Sequence, residues 1–391
     1  IITPGLNTMR RLTTPISLAC IGAAALSLPH VAQAQSSYQY VELRPTTSTA
    51  PSLSSVDSFY GLYVNNSGKV AGVARVKSGI YFNLRGLRFE DTYNNLPTVW
   101  STSGVPTQLG LGTDKKTARY EVNGLNNLGQ VVGISPNPLS VPTLWSNTGK
   151  RTVLDTRSGV ARAINDAGTV VGGVAPPSGS AVSTNAYQAV MWRNGGAVDL
   201  HASAGLSASQ VSVATSINAQ GAIGVEVDFG KQCLVLQNGA VLKLEKPDYQ
   251  TCEVIRVADD GRVFGSLSYI YDRPESLFKV GDPPVVWVQG KLSLLPTQPY
   301  PYPFPEPVAD PGTVAVIKSV NASGVATGFD GSGPVTWRNG VEVPFTTPVS
   351  GSISAPGYQL GSISAISDNG RMVVCLGNSG SLNCGLLVPK P

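Results

Sequence analysis

Histidine, the commonest general base and zinc ligand, occurs only twice in this chain, at His30 and His201. His30 falls in an N-terminal segment built for removal, which leaves His201 alone. Zinc sites assembled from several histidines are thereby excluded. A Ser-His-Asp arrangement would have to recruit His201 from Asp199-Leu200-His201-Ala202, and no Gly-x-Ser-x-Gly elbow accompanies it. His201 reads as an ordinary surface or loop residue. Beyond the N-terminal segment the cysteines number four, Cys233, Cys252, Cys375 and Cys384. Three pairings are open, with free thiols as the alternative. Cys233 with Cys252 and Cys375 with Cys384 is preferred, because residues 376–383 form a short connection between adjacent strands. Acidic turns such as Asp259-Asp260-Gly261 lack the ligand spacing of a calcium loop, and turn formation accounts for them. No metal or other cofactor is expected.

Three segments bring aromatic, basic and acidic side chains together, a mixture suited to sugar stacking or peptide docking. They hold Tyr81, Arg85, Arg88, Glu90, Asp91 and Tyr93; Tyr269, Tyr271, Asp272 and Arg273; and Tyr300, Tyr302, Phe304 and Glu306. Arg88, Asp91, Tyr271, Arg273, Tyr302 and Glu306 are the candidate ligand contacts. The bland account of the same residues is that they cover the ends of strands, with the alternating prolines of 299–307 making a stiff extended loop.

Met9 is followed by Arg10 and Arg11, an apolar run over 16–28, and Ala32-Gln33-Ala34. That is the order of a secretory signal cleaved after Ala34. Ser17-Leu18-Ala19 before Cys20 makes a poor lipobox, so a lipid anchor is the lesser reading. The expected organisation is residues 1–34 as upstream residues and signal peptide, and 35–391 as one extracytoplasmic domain without a membrane span. There the even cysteine count favours disulfides. With 42% hydrophobic and 13% charged residues, 43 Gly, 29 Pro and a net charge of +4, the chain fits a loop-rich globular protein and lacks a nucleic-acid footprint.

What must position these residues is a repeat. A short element of form Ile/Val/Leu-Asn-x-x-Gly, followed by Val-x-Gly or a near equivalent, occurs at Val64, Leu125, Ile164, Ile217, Val257, Val320 and Ile366, although the fifth and seventh copies lack the Asn. Each reads as a hairpin in which the Asn bonds its own backbone two residues on and the Gly takes a positive φ. All five tryptophans, Trp100, Trp145, Trp192, Trp287 and Trp337, fall in one downstream slot, filled by Leu236 and Leu387 in the other copies. Short strands flank each slot, giving four strands per unit. The arithmetic predicts an all-β, seven-bladed β-propeller of four-stranded blades. Tyr38 to Leu43 resembles an orphan fourth strand that would close the ring by pairing in the last blade, which ends at its third strand near Val388.

The third copy, Ala161-Arg162-Ala163-Ile164-Asn165-Asp166-Ala167-Gly168-Thr169-Val170-Val171-Gly172 with Gln188-Ala189-Val190-Met191-Trp192, resembles the extracellular HAF-repeat family. That unit runs A-x-x-I-N-x-x-G-x-V-x-G and later H-A-F-x-W; Gln188 stands where the name-giving His would be, and no copy keeps that His. The resemblance implies an extracytoplasmic β-repeat protein and supplies no catalytic residue.

The first-to-second and third-to-fourth turns are short, whereas 74–96, 266–284 and 296–313 carry insertions in the other two kinds of connection. Alternating strand direction puts those connections on one face, so the sequence points to a monomeric, non-catalytic module binding a protein or glycan there. The alternative is a carbohydrate-active hydrolase or lyase using loop carboxylates, from among Glu90, Asp91, Asp272, Glu275 and Glu306, or Tyr with Arg.

Overall fold

The computed structural model describes residues 38–44, 56–83, 88–112, 119–137, 139–177, 186–269, 283–297, 315–330, 333–345, 349–350, 359–378 and 381–390. All lie in one unit, Ser36–Pro391. Among them a single four-residue helix, α1 (Leu200–Ser203), interrupts an otherwise all-β chain. Six four-stranded antiparallel sheets follow one another, over 56–108, 121–153, 159–199, 212–243, 250–294 and 316–344. A seventh takes three strands from 359–389 and a fourth from Tyr38–Glu42, which runs antiparallel to Ser381–Pro389 with Tyr38 opposite Pro389. This last sheet has five strands where four were expected. The free edge of Tyr38–Glu42 would leave backbone groups unpaired, and Val349–Ser350 pairs there in parallel.

Each repeat turn does more than close its own hairpin. The glycine takes positive φ, as at Gly68 (85°) and Gly168 (75°). The Asn side chain does not cap the backbone two residues on. Its Oδ1 accepts the N–H four residues on, from Lys69 to Asn65 at 3.0 Å and from Ala222 to Asn218 at 2.8 Å. Its Nδ2 is thereby aimed away, and it donates to the carbonyl of the next sheet's turn: Asn65 to Asn126, Asn126 to Asn165, Asn165 to Asn218, and Asn218 to Ala258, all at 3.0–3.1 Å. Ala258 has no such amide, and there the backbone substitutes, Asp259 N–H donating to Ala322. Asn321 then donates to Ser367, and Asp368 N–H donates to Asn66 in the first sheet's turn.

The core is divided among the junctions between neighbouring sheets. Trp145 packs with Ala71, Val73 and Leu109 of the sheet before it, and Trp287 with Val235 and Leu244 of the sheet before it. The five indoles are at most 4% exposed. Four donate Nε1–H to the backbone carbonyl just beyond the preceding fourth strand: Trp100 to Arg44, Trp145 to Gly110, Trp287 to Glu245 and Trp337 to Pro296. Trp192 Nε1 is buried without a partner. The seventh sheet packs on the first through Val373, Cys375, Cys384 and Leu386 against Leu62 and Trp100.

Two disulfides tie this arrangement. Cys375 and Cys384 lie opposite each other in adjacent strands, and Cys233 in the fourth sheet joins Cys252 in the first strand of the fifth. His201 is not a surface residue. It is 4% exposed in α1, with Nδ1 2.8 Å from Ser212 Oγ and Nε2 2.9 Å from the Ser207 carbonyl. A carbonyl only accepts, so Nε2 carries the proton and both nitrogens are spent on holding the helix.

Candidate functional site

The first strands of sheets two to six each carry one residue more than their partners. The register shifts fall at Asn123, Arg162, Thr215, Ile255 and Lys318. A bulge turns its extra side chain out of the pleat. All five line one cavity of about 520 Å³, together with Tyr63, Glu226, Glu253, Arg256 and Ser266. The same bulges account for the last glycine of the Val-x-Gly motif. A Cβ at Gly265 would sit 1.9 Å from the Glu253 carbonyl oxygen, and one at Gly172 would sit 2.0 Å from that of Val160.

The cavity concentrates charge from strands distant in sequence. Arg162, Arg256 and Lys318 supply cations, and Glu226 and Glu253 supply carboxyls. Glu226 Oε1 accepts the Val254 N–H at 2.9 Å, and the Ser266 hydroxyl donates to Glu253 Oε2 at 3.2 Å. Arg256 Nε and Thr215 Oγ1, on two residues of the lining, are buried without hydrogen-bond partners, and the cavity is large enough for a ligand. Burial pushes the Glu226 carboxyl up to about 7, with the Glu253 charge adding to the shift and the Val254 N–H and Arg162 opposing it. Burial also raises the Tyr63 phenol above its ordinary value.

The Glu226 shift has a definite sign in stability. An acid whose folded value lies above its unfolded one favours the fold fully below about pH 4.5, and that contribution is lost as pH rises through about 7. Glu226→Gln is therefore expected to flatten the pH dependence of unfolding. Between pH 5 and pH 8 the wild-type chain should lose on the order of 2 kcal/mol that the variant keeps. Urea unfolding at the two pH values checks this, and parallel losses in both proteins would contradict it.

The residues singled out from sequence do not gather here. Arg88 and Asp91 stand on a feature read from sequence as a loop insertion. It is a long hairpin, Val70–Asn83 against Arg88–Trp100, because the register continues out to Asn83 opposite Arg88. Both residues are engaged locally, Arg88 with Glu90 at 2.9 Å and Asp91 with Lys77 at 2.8 Å. Cross-strand pairing puts them on opposite faces of the hairpin, Arg88 opposite Asn83 and Asp91 opposite Ile80. Tyr271, Arg273, Tyr302 and Glu306 lie outside the described residues. Arg162, Thr215, Glu226, Glu253, Arg256 and Lys318 were not foreseen. The available signal was the pair of positions just before each Ile-Asn element, where Arg162, Thr215, Arg256 and Lys318 interrupt otherwise apolar strands.

No helix among the described residues is long and apolar enough to cross a membrane. No family model matches the chain, and no curated protein matches it. Solved structures similar in architecture include the β-propeller domain of the Trilobed protease from Pyrococcus furiosus, at 9% identity and TM-score 0.48, covering 86% of this chain and 94% of that one. YCF48 bound to D1 peptide is similar at 10% identity and TM-score 0.47, covering 90% and 95%. The chain also matches acylaminoacyl peptidase from Pyrococcus horikoshii at 11% identity and TM-score 0.47, covering 85% of this chain but spanning only 52% of that protein. At these identities and scores the likenesses carry nothing about ligand or activity.

Proposed function

We propose that the seven sheets are the blades of a closed β-propeller, and that the protein is an extracytoplasmic, non-catalytic module holding a glycan or protein segment at the central cavity and the long connections around it. Closure is supported by the turn-to-turn hydrogen bonds, which leave the first sheet at Asn65 and return to it at Asn66 from Asp368. The paired disulfides and the signal-like N-terminus support the address. The HAF-repeat resemblance agrees with both.

The observation that carries the binding role is the cavity of about 520 Å³, with Arg256 Nε and Thr215 Oγ1 unpartnered beside Arg162 and Lys318. Such a set hydrogen-bonds hydroxyls, carboxylates or peptide carbonyls. Tyr271, Arg273, Tyr302 and Glu306 belong to the long connections and are proposed as its outer contacts. The test is a glycan and peptide array probed with wild-type protein and with Arg162→Ala and Lys318→Ala, whose side chains are exposed and whose loss should spare the melting temperature. Capture of one ligand class should fall at least tenfold in both variants. Equal capture by all three proteins would refute the cavity as the site.

One observation favours a second reading. Glu226, raised by burial to about 7, and Glu253, whose charge adds to that shift, line the same cavity, and two carboxyls in one cavity are what a glycosidase requires. On that reading Glu253→Gln abolishes turnover of a captured glycan and leaves capture intact. For a pure binder no turnover exists to lose.

A further inference from the structure

We propose that the groove between the third and fourth sheets, on the short-turn side, binds a flat aromatic molecule that carries a carboxylate. The argument begins with the indole slot. In five sheets a buried tryptophan fills the junction with the preceding sheet. The two sheets without tryptophan solve the vacancy differently. Leu387 of the seventh packs with Met372, Tyr38 and Phe345, and the two rings lie 6.0 Å apart, so aromatic bulk is returned by other residues. Leu236 of the fourth belongs to a cluster with Leu200, Met191 and Ile223 in which no member is aromatic. There a cavity of about 390 Å³ remains, lined by Met191, Leu200, Ile223 and Leu236. That volume is in the range of small-molecule sites.

The backbone is rebuilt at the same place. At four other junctions the second residue after the fourth strand offers its carbonyl to the indole N–H, as Gly110 and Glu245 do. Here the chain turns into α1, whose Leu200 and His201 carbonyls accept from Ala204 and Leu206 instead. His201, clamped between Ser212 and Ser207, fixes that helix as one wall of the groove. The slot is thus shaped for a ring but no longer arranged for a tryptophan of this chain.

The rim supplies the polarity of the ligand. Among the described residues, Arg193 is the one charged residue lining the groove, and it is exposed. Its neighbours at the rim, Gln220 and Asn238, are neutral amides. A guanidinium above an apolar floor, with no carboxylate among the described residues that line it, selects an aromatic body with an anionic end. This site lies at the short turns, where Gly221 and Gly239 line it, and does not depend on how the cavity of the bulged strands is used.

Indole-3-acetate and uncharged indole are the probes, titrated into the whole protein by calorimetry and by nuclear magnetic resonance. Indole-3-acetate should bind saturably at one site. Leu236→Trp, which restores the missing side chain, should weaken it at least tenfold. Arg193→Gln should weaken indole-3-acetate about tenfold and leave indole unchanged. Arg193 is a surface side chain, so this second variant decides the matter even if Leu236→Trp does not fold. Absence of saturable binding to the wild-type protein, undiminished binding to folded Leu236→Trp, or equal affinity of Arg193→Gln for the acid would each overturn the proposal.

Discussion

Removal of residues 38–43 is expected to leave a chain that aggregates or unfolds at room temperature. Five residues of Tyr38–Glu42 pair with Ser381–Pro389, and Tyr38 and Leu43 are 4% and 1% exposed. Burying two such side chains is worth about 1.5 to 3 kcal/mol each, and the strand also covers the edge of the last sheet. With the backbone pairing added, the loss is about 5 kcal/mol or more, comparable to the whole stability of many domains. Size-exclusion chromatography and circular-dichroism melts of the truncated chain provide the check. A monomer melting near the wild-type temperature would mean that the strand only decorates the sheet.

The second large effect concerns the indole slot. Trp145→Ala removes a fully buried ring and strands the Gly110 carbonyl that it bonds at 2.8 Å. The expected cost is about 3 to 5 kcal/mol. A phenylalanine series separates packing from hydrogen bonding. Trp145→Phe should lose about 1 kcal/mol more than Trp192→Phe, because Trp192 Nε1 has no acceptor to forfeit. Trp192→Ala should still cost about 3 to 5 kcal/mol, since its ring is buried among Val132, Leu144 and Leu154 of the preceding sheet. Equal losses in the two phenylalanine variants would show that the indole N–H contributes nothing.

How much of this was legible follows from the kind of information each feature needs. The repeat period, the positive-φ glycines and the buried tryptophans are local or periodic, and the sequence displays them directly. The cavity is different. Its side chains depend on where a first strand bulges, and strict alternation would send Arg162 or Lys318 to the wrong side. Glu226 and Glu253, on adjacent sheets, have no shared motif, and only the packing of one sheet on the next makes them neighbours. The long hairpin was read as a loop insertion because residues 74–96 lengthen a connection that is short in other repeats, yet the strands pair from Val70 to Asn83. His201 was misplaced for a related reason: the polar residues that bury it, Ser207 and Ser212, are brought to it by a helix too short to predict.

The side-chain amides of Asn65, Asn126, Asn165, Asn218 and Asn321 each give to the sheet that follows, and the bonds between Asp368 and Asn66, one in each direction, join residues 302 apart in sequence. On the closed-ring reading the seventh sheet is interlocked with the first as other neighbours are, and the first and last described strands meet inside the seventh sheet. Tyr38 opposite Pro389 makes that meeting close enough for a short bridge. The fold is then a circle on which the starting point is arbitrary, so circular permutants opened in one long connection and joined across the old seam keep every interlocking contact, and the order in which the repeats are translated is free to differ from the order in which they assemble.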